Sequence, residues 1–256
     1  AGRSGGDQAI AGPRGDGKTK CAVYGGLWLV VQNAIDFLLV VAHSGGAATR
    51  ELAWLMVFLM PFAVFSQDIN TLLRNARTAE AAFRDQEALD LYREVLRIQP
   101  QHLSALCKAS ELYAILGKRM KDKGTQQSYY STSLSLARKA FQADPNNSEA
   151  NFVLSVALGR LALIESGEKK VNAVKDIKNY AERSIALDPD NYKGYHVLGK
   201  WHYEVSSLSI VERWLVRIAF GAFPESSYEE SIRNYEISRK LNPGFLLNYL
   251  EEAKAL

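Results

Sequence analysis

A proline recurs four times in this 256-residue chain, each time at the end of an amphipathic run. The four residues are Pro100, Pro145, Pro189 and Pro243, and a polar residue precedes each of them. Proline cannot continue a helix, and the residue before it is pushed out of the helical region, so each run must end there. A unit that recurs every 44 to 54 residues predicts an array of helical repeats.

The units are about 10 to 20 residues longer than the roughly 34 residues of a tetratricopeptide repeat. We expect the extra residues between the two helices of a unit, at 117–127, 166–171 and 208–226. Apolar residues of the second helices recur at i, i+3 or i+4 and i+7, which gives each helix one buried stripe. The sequence therefore predicts an all-α, tetratricopeptide-like helical repeat solenoid of about four helix pairs with long insertions within the repeats.

Composition and residue spacing give little support for nucleic-acid binding, membrane-surface binding or catalysis. The chain has 31 basic and 28 acidic residues, and its net charge of +3 is too small to favour nucleic acid or an anionic membrane surface as a partner. Cys21 and Cys107 lie far apart, and no two histidines have the i, i+4 spacing of a helical zinc site. We therefore expect no metal, no cofactor and no enzymatic activity.

The first 66 residues differ from the rest. Residues 52–65 form an apolar run of 14 residues without a charge. That is short for a membrane span of about 20 residues, and it is typical of the hydrophobic part of a signal peptide. We predict a leader over 1–66, with a signal or anchor segment at 52–66, and a helical-repeat domain over 67–256. A signal peptide implies a periplasmic or secreted protein; otherwise the chain is membrane-anchored or cytoplasmic.

Gly12–Thr19 matches the letter pattern of a phosphate-binding loop. That chemistry needs a preceding strand and a following helix, and the sequence before the motif is glycine-rich instead. A nucleotide-binding protein is therefore an unfavoured alternative. A second alternative is a subunit of a larger assembly that is tethered to a membrane through its N-terminal segment.

The fourth unit carries a family resemblance. It contains LGKWHYEV, then a basic and aromatic stretch that ends in GAFP, and then NPGF, all within 197–245. This pattern resembles the regulator of microtubule dynamics family over about 70–256. The resemblance implies a tetratricopeptide-like fold, and microtubules are an expected partner only if the chain is eukaryotic. The export-type leader is similar to that of bacterial members of the family.

The first helices of the units are expected to line the concave side of the array. The exposed inner positions expected in units three and four are Phe152, Val156, Arg160, Lys193, His196, Lys200 and Tyr203. Their mixture of aromatic and basic side chains suits an extended or acidic peptide. We predict a non-enzymatic scaffold that binds a peptide or protein partner in this groove, through the candidate residues Arg160, Lys193, His196, Lys200 and Tyr203. The basic run 117–123, expected in a loop, is a further candidate contact.

Overall fold

The computed structural model describes residues 69–164, 168–220 and 224–256, together with Asp36. Within these ranges the regular structure is entirely helical, which confirms the all-α prediction. Asp68–Leu256 form one compact unit. None of the described helices is both long and apolar enough to cross a bilayer. The segment 52–66 and the Gly12–Thr19 motif lie outside the described residues, and the domain boundary at residue 67 stays a prediction.

Four helix pairs make up the array, as the proline spacing predicts. The first helices of the pairs, called the A helices, are α1 (69–81), α3 (Leu103–Arg119), α5 (Ser148–Ala162) and α7 (Tyr192–Ser206). The second helices, called the B helices, are α2 (Asp85–Ile98), α4 (Lys123–Ala143), α6 (Glu168–Leu187) and α9 (Tyr228–Leu241). Two further helices are α8 (Ile210–Phe220), inserted within the fourth pair, and α10 (Leu246–Ala255), which follows it.

The prolines hold one position in every unit. Each lies two residues beyond the last residue of a B helix, and the next helix begins three residues after it. At three of the four junctions the residue before the new helix caps it. The side chains of His102, Asn147 and Asn191 each accept a hydrogen bond from a first-turn backbone N–H at 3.0–3.2 Å. Such caps satisfy backbone donors that have no partner within the helix.

The extra residues of the units take two different forms. In the second unit the predicted loop is wrong, because Gly117–Arg119 complete α3 and Lys123 begins α4. Only residues 120–122 connect them, and the extra length extends the paired helices to 17 and 21 residues. The basic run 117–123 is therefore mostly helical. In the fourth unit the insertion contains a helix of its own, α8, of 11 residues.

Small residues allow the helices of a pair to approach closely. The Ser110 hydroxyl donates to the Ser133 carbonyl at 2.9 Å where α3 meets α4. Gly199 of α7 faces the fully buried ring of Tyr235 in α9, and a Cβ at position 199 would lie 2.8 Å from that ring. The aromatic ring thus occupies the space that any other residue at 199 would need.

The A helices α3, α5 and α7 follow one another along one side of the unit, and α10 packs against α7 and α9. We call the surface formed by α3, α5, α7 and α10 the A-helix face. It carries all five of the residues that the sequence proposes for partner binding.

Candidate partner-binding cleft

A cleft of about 240 Å³ opens on the A-helix face. It lies where α5, α6, α7 and α10 converge, and Lys118 of α3 reaches its edge. Its apolar residues include Val156, Ile177, Val197, Trp201, Val205 and Leu208. Its charged residues are Lys118, Arg160, Lys170, Lys200, Glu204 and Glu251. The cleft thus combines apolar walls with a surplus of positive charge.

Trp201 forms a fixed part of the apolar wall. Only 4% of the residue is exposed, and its indole N–H donates to the Val174 carbonyl at 2.7 Å. Because the polar atom of the ring has its hydrogen bond inside the protein, the indole is held in one orientation. Its neighbours Val197 and Val205 belong to the same apolar cluster.

Lys200 is an ion-paired residue of the cleft. Its ammonium lies 2.8 Å from a carboxylate oxygen of Glu251 and 2.9 Å from one of Glu204, and therefore joins α7 to α10. Burial alone would lower the pKa of Lys200, but hydrogen bonds to Glu251 and Glu204 outweigh it and raise the pKa above its ordinary value. The Lys200 ammonium also lies over the ring of Tyr203, at 5.2 Å from the ring centroid.

Glu251 is the buried partner in this group. Only 8% of its side chain is exposed. Burial by itself would raise the pKa of Glu251, but hydrogen bonds from Lys200 and Lys254 hold the pKa at about 2. Glu251 is therefore ionised at neutral pH and neutralises the positive charge of Lys200.

His196 contributes a neutral ring to the cleft. Its Nδ1 lies 2.9 Å from the side-chain oxygen of Asn248, and the Phe245 ring packs edge-on at 4.9 Å between centroids. Burial is the largest cause that lowers the pKa of His196 below its ordinary value. The imidazole is therefore uncharged at neutral pH, and it donates from Nδ1 to the amide oxygen of Asn248.

Arg160 and Lys118 differ from the two ion-paired cations of the cleft, Lys170 and Lys200. Arg160 is half-buried in the last turn of α5, and it forms no ion pair or hydrogen bond with any residue that the structure describes. Lys118, which is exposed at the end of α3, likewise has no carboxylate partner within the described ranges. These two side chains are the cationic groups of the cleft that can accept an external anion.

Lys193 lies outside the cleft, in an ion-pair network. Its ammonium contacts Glu149 of α5 at 2.8 Å and Glu111 of α3 at 3.1 Å. Only 16% of its side chain is exposed. Burial would lower the pKa of Lys193, but the two carboxylates raise it well above the ordinary value. The same ammonium lies 4.9 Å from the ring centroid of Phe152.

The structure thus brings Arg160, His196 and Lys200 together in one cleft, whereas Lys193 and Tyr203 are not part of its lining. Phe152 is not an exposed inner residue as expected, because it is 5% exposed and packs into the core between α4 and α5. Trp201 and Glu251 were not predicted as site residues from the sequence. Trp201 has the spacing of a packed residue, and Glu251 belongs to a terminal helix 51 residues away from Lys200.

The described residues were also compared with the requirements of a metal site and of a reactive thiol. No group of three or more histidine, cysteine, aspartate or glutamate side chains converges there in a way that could hold a metal ion. Cys107 is buried, and burial is the main cause that raises the pKa of its thiol to about 12, so the group stays protonated and unreactive.

A family model described as regulator of microtubule dynamics protein 1-3 matches residues 72–256. The chain belongs to this family. The match begins within α1 and includes every later helix, so it covers the whole A-helix face.

Curated members of the family are identical to the chain at about a quarter of the positions in the aligned region. Regulator of microtubule dynamics protein 3 of Xenopus laevis is 26% identical over 144 residues, which are 56% of this chain and 31% of the relative. Human protein 2 is 23% identical over 66% of this chain and 41% of its own length. Mouse protein 1 is 24% identical over 55% of this chain and 45% of its own length. The matched region therefore spans less than half the length of each of these regulator of microtubule dynamics proteins.

A solved structure supports the fold. A thermophilic TPR protein of Thermus thermophilus superposes with a TM-score of 0.53, at 17% sequence identity, over 88% of this chain and 98% of its own. This similarity shows the tetratricopeptide-like helical repeat fold in a regulator of microtubule dynamics family member, as the recurring prolines predict.

Proposed function

We propose that the chain is a non-catalytic scaffold that holds a peptide or protein partner on its A-helix face. The observation that supports this function is the cleft itself, in which an apolar wall around Trp201 stands beside an arginine without a carboxylate partner. Buried aromatic side chains and arginines are the residue types that dominate binding energy at protein interfaces. The repeat fold and the regulator names of the relatives agree with a binding role rather than a catalytic one.

A photo-crosslinking amino acid in the full chain tests this location. Placed at Val156, which lines the cleft, it is expected to form a covalent adduct with one partner in cells of the source organism. Placed at the exposed Lys139 on α4, it should not form that adduct. Arg160→Glu should weaken capture at Val156 at least tenfold, which corresponds to about 1.4 kcal/mol. Melting temperature checks that the variant is folded.

Arg138→Glu provides the matched control, because Arg138 is exposed on α4 away from the cleft lining. It carries the same change of charge and should leave the adduct intact. Two results would show that the partner does not bind in the cleft. One is an equal yield of the adduct from positions 156 and 139, and the other is an adduct yield at position 156 that Arg160→Glu does not change.

Two finer features of the function belong to the same proposal. The names of the relatives point to microtubules, and we propose that partner only for a eukaryotic chain. The apolar segment 52–65 favours export, and the small residues Val64 and Ser66 suit cleavage before Gln67. In that case the scaffold works in a periplasmic or secreted setting. A tether to the membrane through the same segment is the second candidate, in which the chain is a subunit of a larger assembly.

The leader has its own test. If 52–66 is a signal peptide, N-terminal sequencing of the mature protein should begin at Gln67. A fragment 67–256 should give the far-ultraviolet circular dichroism of a predominantly helical protein, because every proline-defined unit lies after the leader. Recovery of the intact leader in the membrane fraction would favour the tether, and an unfolded fragment would show that the leader belongs to the repeat domain.

A further inference from the structure

The cations of the cleft are not equivalent. Lys170 contacts Glu212 at 3.0 Å, and Lys200 contacts Glu251 and Glu204. Among the described residues, the acidic groups that line the cleft are therefore already occupied. Arg160 and Lys118 have no such partner, so an incoming carboxylate meets them without displacing an internal ion pair. The planar guanidinium of arginine binds a carboxylate through two parallel hydrogen bonds, which a lysine cannot do.

The apolar part of the cleft fits one side chain. The whole cleft has a volume of about 240 Å³, which is below the range of about 300–1,000 Å³ that is typical of small-molecule pockets. The indole of Trp201 is already held by its hydrogen bond to Val174, so the wall does not have to reorganise when a ligand enters. A preformed recess of this size is suited to a single large apolar residue of a longer chain.

Gly159 keeps this recess open. It lines the cleft one residue before Arg160, and a Cβ at this position would meet only Ile177, at 3.9 Å, an ordinary van der Waals distance. The absence of a side chain here is therefore not required by packing, unlike at Gly199. A larger residue at 159 would extend into the recess instead of into the core.

Resting on the scaffold function above, we propose that the cleft recognises a peptide segment in which a large apolar residue stands within two positions of an aspartate or glutamate. The apolar side chain occupies the recess beside Trp201 and Gly159, and the carboxylate binds Arg160, with Lys118 at the edge adding positive charge. The proposed specificity thus depends on an apolar and an acidic side chain that lie close together in the peptide, and not on negative charge alone.

Selection from a phage-displayed library of random hexapeptides on the immobilised full chain tests this specificity. Enriched peptides should carry a large apolar residue within two positions of Asp or Glu. The same selection on Arg160→Glu should replace the acidic residue with Lys or Arg, while Arg138→Glu should give the original motif. One enriched peptide is then measured by fluorescence polarisation, together with an analogue in which its acidic residue is changed to lysine. The original protein should bind the lysine analogue at least tenfold more weakly than the enriched peptide. The Arg160→Glu variant should recover binding of the lysine analogue.

Gly159→Leu separates binding from stability. Leucine favours a helix more than glycine does, so the melting temperature should not fall, whereas binding of the enriched peptide should drop at least tenfold because the recess is filled. Gly159→Ala should give an intermediate loss. A fall in melting temperature with Gly159→Leu would show that the position belongs to the core, and the recess would then be wrong.

The remaining outcomes distinguish this specificity from the scaffold function. Enriched peptides without an acidic residue, or a motif that Arg160→Glu leaves unchanged, overturn the specificity while the scaffold stands. No enriched peptide, together with a covalent adduct at Val156 in cells, means that the partner presents a folded surface, which also overturns the specificity alone. If the selection enriches no peptide and no adduct forms at Val156, both the specificity and the scaffold function are wrong.

Discussion

Replacing Tyr235 with alanine is expected to lower the free energy of unfolding by about 3–5 kcal/mol, the usual loss when a large aromatic residue is removed from a core. The ring is fully buried in α9, where it packs against Gly199 of α7 and lies 5.5 Å from the His196 ring. Because the ring fills the space beside Gly199, its removal leaves a cavity between α7 and α9. Urea denaturation of the full chain, followed by circular dichroism, measures the loss.

Tyr235→Phe is the control for this substitution. It keeps the ring and removes only the hydroxyl, which is buried and has no hydrogen-bond partner among the described residues, so we expect little or no loss of stability. A loss in the phenylalanine variant as large as in the alanine variant would mean that the hydroxyl, and not the packing against Gly199, stabilises the fourth pair.

Glu251 should make the stability of the protein sensitive to acid. The pKa of its carboxyl is lowered from 4.5 to about 2 in the folded protein, where Lys200 and Lys254 donate to it. Because the folded pKa is below the unfolded one, the stabilisation is fully present above about pH 4.5 and is lost as the pH falls towards 2. At about 1.4 kcal/mol per pKa unit, the contribution at neutral pH is up to about 3 kcal/mol.

Glu251→Gln isolates this contribution. The difference in unfolding free energy between the original protein and the variant should be largest near neutral pH and should shrink as the pH approaches 2. Glu212→Gln is the comparison: hydrogen bonds from Ser209 and Lys170 also lower the pKa of Glu212 to about 2, but 41% of its side chain is exposed. Solvent screens that interaction, so its effect should be much smaller. Parallel pH profiles for Glu251→Gln and the original protein would contradict the assignment.

The fold could be predicted from the sequence because its main determinant is local. Proline and the polar residue before it end each B helix, and at three of the four junctions a capping side chain begins the next helix. The loop expected over 117–127 was wrong for a reason that is also local. Apart from Met120–Asp122, these residues continue the helices on either side. A repeat that is longer than usual can have either a longer loop or longer helices, and its length alone does not distinguish the two.

The site could be predicted only in part, because its electrostatics depend on contacts between distant helices. The spacing of four residues along α7 places His196 and Lys200 on one side of that helix, and the repeat pattern predicts that this side faces the same way as Arg160 on α5. All three residues line the cleft. It could not show that Lys193 would be held by Glu111, a residue 82 positions away. Nor could it distinguish a cation that already has a carboxylate partner from one that has none, and the proposed binding role of Arg160 rests on that distinction.

The reach of Lys193 also changes how the array should unfold. In most repeat proteins a unit contacts only its neighbours, so units at the ends open one at a time. Here one ammonium contacts carboxylates in α3 and α5 from its place in α7, and so links the second unit to the fourth across the third. Opening the second or the third unit breaks one of these two contacts, and opening the fourth unit breaks both. Units two to four should therefore tend to open together, as one cooperative block.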